Sequence, residues 1–183
     1  MPPKAAEFRR IERRILGRTL RDLGFRQRPG VGLSGWAREE SRQWLVIWSQ
    51  LSNWNYGDAP EGYSFTLEFQ LSDEPIAGAT SQRARFYQLL DDRQRQAHVV
   101  LNNQVIGKAR PNPLMSANLK PADQRAYLES RGLVPLHGPL DPLEDVWLPY
   151  VDESDVEAWM RFLAEVMPSA TSRFLERGPW LVW

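Results

Sequence analysis

Tyr63-Ser64-Phe65-Thr66-Leu67-Glu68-Phe69-Gln70-Leu71 carries an apolar residue at every odd position and a polar one at every even position. This two-residue period belongs to a β-strand with one buried and one wet face. Upstream, Gln43 to Leu51 reads as a strand that is apolar on both sides. Trp44, Val46 and Trp48 point one way and Leu45, Ile47 and Leu51 the other, as in a central strand covered on both faces. The connection Asn53-Trp54-Asn55-Tyr56-Gly57-Asp58 is short enough for an antiparallel pair. Val31 to Glu40 adds a third strand, reaching Gln43 through the polar Glu39-Glu40-Ser41 bend, and Arg28-Pro29-Gly30 before it reads as a turn. Val146 to Val151 adds a short fourth strand, with Pro149 favouring an edge position.

Helices flank these strands. Phe8, Ile11, Ile15, Thr19 and Leu23 recur every three or four residues, with Leu16 and Leu20 widening the stripe, so a first helix is expected from about Ala5 to Leu23, closed by Gly24. Arg10, Arg13, Arg14, Arg18 and Arg21 collect on its far side, while Glu12 falls inside the apolar stripe. From Ser81 to Ile106 the pattern is again helical, with Phe86, Leu89, Leu90, Ala97, Val100, Leu101 and Val105 on one side and Arg93 and Gln104 interrupting. Six prolines between Gly107 and Asp145 predict an irregular excursion. Asp152 or Ser154 then caps a last helix with Val156, Trp159, Met160, Leu163 and Val166 inward, and Pro168 starts a further helical segment carrying Phe174 and Leu175. The fold class expected is α+β: a mainly antiparallel sheet of about four strands packed with N-terminal, central and C-terminal helices, in a single domain over residues 1–183.

Composition narrows the function classes. The 183 residues include no cysteine, which removes disulfides, thiolate zinc sites and cysteine nucleophiles and makes a reducing cytoplasm the expected compartment. No apolar run approaches the ~20 residues of a membrane span, and the start of the chain reads as an arginine-rich helix rather than a secretion signal. Net charge is zero, yet residues 1–28 hold nine Lys/Arg against three acids and residues 141–183 hold nine acids against three arginines. If the two ends pack together their fields largely cancel. If they lie apart, the basic end is free for an acidic partner.

Sites of known chemistry are hard to find. His98 and His137 are the only histidines, and neither has a second ligand at metal-site spacing. There is no nucleophile elbow, and the three glycines of Gly30 to Gly35 lead into a strand rather than opening a helix. No cofactor and no metal are expected. Glu12 and Arg93 each break an apolar stripe, so an ion pair between them is one expectation. Of eight tryptophans, Trp44, Trp48, Trp147 and Trp159 lie inside elements, Trp36 is ambiguous, and Trp54, Trp180 and Trp183 join Tyr56 as candidates for exposure.

Leu23-Gly24-Phe25 after an amphipathic helix, the Trp48 to Trp54 turn, Ser64-Phe65-Thr66, the run from Trp147 to Asp155 and Trp159, and a closing Phe174-Leu175 together resemble a family of bacterial domains of unknown function. The resemblance spans most of residues 5–177, departs from the pattern in the proline-rich stretch 107–145 and the tryptophan tail, and implies an α+β domain without implying a reaction.

The functional expectation is a non-enzymatic cytoplasmic binding module for another protein, of the general kind that includes immunity proteins. Its surface is the loop with Asn53, Trp54, Asn55, Tyr56 and Asp58, because Trp and Tyr dominate binding hot spots. Two alternatives are nucleic-acid binding through Arg13, Arg14 and Arg18 of the first helix, and a small-ligand or enzyme pocket near Glu12 and Arg93 with loop carboxylates such as Asp58 and Glu61.

Overall fold

The computed structural model describes residues 3–30, 33–52, 63–76, 83–108 and 128–177. The expected α+β class is observed. A six-stranded, wholly antiparallel sheet is built from β1 (Arg26–Gly30), β2 (Leu33–Glu40), β3 (Gln43–Leu51), β4 (Tyr63–Ser72), β5 (Arg83–Arg85) and β6 (Leu148–Tyr150). Strands β1 to β5 lie in sequence order. β5 and β6 share the outer edge of β4, β5 beside Glu68 to Gln70 and β6 beside Tyr63 to Phe65. Among the described residues the helices given in full are α1 (Ala5–Arg14), α2 (Leu16–Asp22), α3 (Asp92–Ile106) and α4 (Glu153–Arg177), and residues 128–130 are also helical.

Two strands exceed expectation. Arg28-Pro29-Gly30 is not a free turn but the end of β1, paired as Arg28 with Gly35, Pro29 with Ser34 and Gly30 with Leu33. Proline is tolerated there because β1 is an edge strand, where a missing N–H leaves no interior ladder position open. Helix does not begin at Ser81: residues 83–85 form β5, Phe86 to Leu89 make a single 3-10 turn, and Leu90 is extended. The helix starts only at Asp92, where Asp91 accepts from the Gln94 N–H (2.8 Å) and the Gln94 side chain accepts from the Asp91 N–H (3.0 Å). This reciprocal cap fixes the start of α3 more firmly than the apolar pattern does.

The first helix breaks at Ile15, whose ψ of −72° leaves the ideal helical value and separates α1 from α2. The break brings Leu16 and Leu20 into the core and leaves Ile15 and Leu23 half-buried. α2 ends in a Schellman motif: Phe25 N–H donates to the Leu20 carbonyl, Gly24 N–H donates to that of Arg21, and Gly24 takes φ +86°. Asp152 is the cap of α4, accepting from the Asp155 N–H at 3.1 Å. α4 then runs unbroken through Pro168. The hydrogen bond lost at that proline is offset by burying Met167, Ala170 and Phe174 on the same helix.

One main core joins the helices to one face of the sheet. Phe8 and Ile11 of α1, Leu16 and Leu20 of α2 and Val156, Trp159, Met160 and Leu163 of α4 pack with Trp36, Leu45, Ile47, Phe65, Leu67 and Phe69. Trp36 is therefore core. Its ring sits so close to α2 that a Cβ on Gly17 would lie 2.7 Å from two ring carbons. Among the described residues no helix is long and apolar enough to cross a membrane.

Candidate functional site

The opposite face of the sheet departs most from expectation. Ser64, Thr66, Glu68 and Gln70, the even positions of β4 that were to face water, are all buried. A buried polar stripe is more informative than a buried apolar one, because each group demands a partner. Thr66 donates to the Val146 carbonyl (3.2 Å) and Gln70 to that of Ile76 (2.9 Å).

Glu68 is the centre of a charge network. Antiparallel register sets it directly opposite Arg85, whose guanidinium lies 3.7 Å away, and Arg83 approaches at 3.5 Å. Arg85 also meets Asp145 at 2.7 Å and lies 5.2 Å above the Trp147 ring. Asp145 in turn takes Arg131 at 3.0 Å and the indole N–H of Trp147 at 3.2 Å. Burial pushes the Glu68 carboxyl above its ordinary pKa, with Arg85 and Arg83 pulling the other way. The network ties β5 and the segment before β6 to β4.

Glu12 sits in a second network on the helical face. It is 1 % exposed and accepts from Arg9 Nη1 (3.1 Å) and from Ser49 Oγ (2.5 Å), while Arg9 Nη2 donates to the Ser49 carbonyl (3.0 Å). Its ion partner is thus Arg9, one turn back on the same helix, and not Arg93, which is exposed on α3. Arg93 instead lines a cleft of about 210 Å³ between α3 and α4 with Asp91, Gln94, Phe162 and Glu165, so Glu12 and Arg93 do not share a pocket. The Glu12 network lies two residues before the end of β3, at the root of the connection to β4.

Asn53, Trp54, Asn55, Tyr56 and Asp58, with Glu61, lie outside the described residues, as do Trp180 and Trp183. The strands that bear the loop are paired over eight positions, from Trp44 with Ser72 to Leu51 with Phe65. Tyr63, first of the described residues after it, is 38 % exposed, its ring 6.0 Å from that of Tyr150.

The charged ends of the chain meet. Arg10 pairs with Glu7 and with Glu153 (3.7 Å), and Arg14 pairs with Glu157, so the first turns of α4 neutralise part of the arginine face of α1. Arg13 and Arg18 are exposed. His137 is exposed, and His98 is sealed among Phe86, Tyr87 and Trp159. Among the described residues no group of three or more His, Asp or Glu side chains is arranged to hold a metal ion.

A second cleft, of about 310 Å³, opens at the β1 edge of the sheet. It is lined by Arg26 and Arg28 of β1, Ala37, Arg38 and Glu39 of β2, Trp44 of β3, which is paired with Glu39, and Gly24 at the end of α2. Sequence reasoning missed it by ending the sheet at Val31. The Arg-Gln-Arg alternation directly after the helix stop was the available signal. Comparison of the chain with family models, with curated proteins and with solved structures finds no match.

Proposed function

We propose that this chain is a non-enzymatic binding module of the bacterial cytoplasm that recognises a protein partner through the β3–β4 loop, with Trp54 and Tyr56 as anchors and Asn53, Asn55 and Asp58 as polar contacts. The observation that carries this reading is Tyr63, an exposed aromatic at the mouth of that loop, set on the most extensively paired strands of the sheet. Rigid strands below and the Glu12–Arg9–Ser49 network at the root reduce the ordering cost that a binding loop incurs. The resemblance to a bacterial family without an established reaction agrees with it. Of the three arginines of the nucleic-acid alternative, Arg14 is paired with Glu157 of α4, which weighs against that surface, while Arg13 and Arg18 stay exposed.

The test is an affinity pull-down of the tagged chain from its own cell lysate, with and without nuclease, beside a Trp54→Ala, Tyr56→Ala variant. A stoichiometric protein that survives nuclease and disappears with the variant is the expected result. Material lost only on nuclease treatment, or a partner retained by the variant, overturns the reading.

A further inference from the structure

Most described arginines have structural duties. Arg9, Arg10, Arg14, Arg38, Arg83, Arg85, Arg95, Arg131, Arg161 and Arg173 all sit in ion pairs. Arg13, Arg18, Arg21, Arg26, Arg28, Arg42 and Arg93 sit in none among the described residues, and of these Arg26 and Arg28 are the pair that shares one cleft. Both are exposed, they lie two residues apart on one face of an edge strand, and neither has a carboxylate partner among the described residues. Both nevertheless line a formed cleft rather than a convex surface.

We propose that this cleft binds a small phosphomonoester on a hydroxylated skeleton, the chemistry shared by sugar phosphates and mononucleotides. The inference is independent of the loop reading. Side chains at i and i+2 of a strand start about 7 Å apart on one face, so two guanidinium groups can reach a single anion in the cleft. A carboxylate satisfies one such fork, whereas a phosphomonoester offers three terminal oxygens and satisfies both. Arg28 is already positioned, its guanidinium carbon 5.3 Å from the centre of the Trp44 ring, so less side-chain entropy is lost on binding.

Of the remaining lining, Arg38 is taken up by Glu40 and by the Leu23 carbonyl (2.7 Å), which leaves Glu39 to select the rest of the ligand. Glu39, the cross-strand neighbour of Trp44, is an exposed acceptor with no ion partner among the described residues. It repels a second phosphate and accepts from a hydroxyl, which favours a polyol carrying one phosphate over a polyanionic strand. A volume of about 310 Å³ lies at the small end of ligand sites, room for one such molecule. Ala37, the β2 residue that lines the cleft opposite Arg26, is small and leaves that space open.

Isothermal titration of the full chain with ribose 5-phosphate, adenosine 5′-monophosphate, inorganic phosphate and a short single-stranded oligonucleotide, at about 0.1 M salt, tests this. Variants Arg26→Ala, Arg28→Ala and Glu39→Gln are compared with Arg13→Ala as control, each checked by circular dichroism. Both organic monophosphates are expected to bind. Each cleft arginine variant should weaken them about tenfold or more, as for loss of a charge-assisted hydrogen bond, with the control unchanged. Glu39→Gln should lower the preference for ribose 5-phosphate over inorganic phosphate. Tighter binding of the adenosine compound identifies a nucleotide, and equal binding a sugar phosphate. No binding by either monophosphate, unchanged binding in the folded Arg26→Ala, Arg28→Ala double variant, or tighter binding of the oligonucleotide overturns the proposal.

Discussion

His98 makes stability depend on pH in a way that can be calculated. Its ring is fully buried against Tyr87 (centroids 4.9 Å apart) and Trp159 (5.4 Å), and among the described residues neither ring nitrogen has a hydrogen-bond partner. Burial alone brings its pKa from 6.5 down to about 3, so the folded protein holds it neutral where the unfolded chain protonates it. The unfolded state therefore binds more protons between those values. A base with a depressed folded pKa stabilises fully above its unfolded value, and that stability is lost as pH falls from 6.5 toward 3. From about pH 7.5 to about pH 5 the loss is about 2 kcal/mol, since each pH unit below the unfolded pKa costs about 1.4 kcal/mol. The assay is urea unfolding of wild type and His98→Leu across that range. Leucine is close in volume and carries no polar atom, so the variant should be at least as stable at neutral pH and should lose about 2 kcal/mol less on acidification. Parallel pH profiles would refute the reasoning, because they would mean that His98 is solvated or protonated in the folded state.

Two further substitutions probe the packing. Gly17→Ala places a Cβ 2.7 Å from the buried Trp36 ring, so about 1–3 kcal/mol of overpacking should outweigh the ~1 kcal/mol gained in helix propensity. The melting temperature should fall, and Trp36→Phe in the same chain should relieve part of the effect. Glu12→Gln leaves Arg9 without its buried charge partner and should cost up to about 3 kcal/mol, whereas Arg93→Met on an exposed helix face should stay within about 0.5 kcal/mol. Combined, the two should add within about 0.5 kcal/mol in urea unfolding, and a larger coupling would contradict the separation of the two sites.

What was legible followed from periodicity with a single dominant environment. β3, the apolar face of β4 and the inward face of α4 fit that description, and Val156, Trp159, Met160, Leu163 and Val166 are all buried as their spacing requires. α3 was misphased because its inner face includes His98 and Asn102, while Val100 is 52 % exposed. Polarity there reports neither face. Asn102 is buried because its amide donates to the Val134 carbonyl (3.1 Å), a contact across the proline-rich segment that local pattern does not encode. The Glu68 network was invisible for the same reason: its members are joined by strand register and by the return of Asp145, not by spacing along one element. The expected wet face of β4 was a sound inference from alternation, yet it failed because Glu68 and Gln70 found partners that allow them to be buried.

The buried charges of β4 also bear on why the sheet has one register. A slip of β4 by one residue would turn Phe65, Leu67 and Phe69 away from Phe8 and Phe174 and carry Glu68 into the apolar core. An ionised carboxylate among those rings would have no arginine to meet, and the cost of an unpaired buried charge exceeds what any shifted ladder returns. Arg83 and Arg85 thus hold the sheet in place from its β5 side. At the other edge the same face presents the same residue type with no carboxylate to hold among the described residues, only the Trp44 ring under Arg28: β1 is already aligned by five pairs with β2, and Ala37 beside it needs no charge partner. Two arginines that contribute neither to register nor to an internal ion pair, yet wall a cleft, are the part of this face that folding alone does not account for.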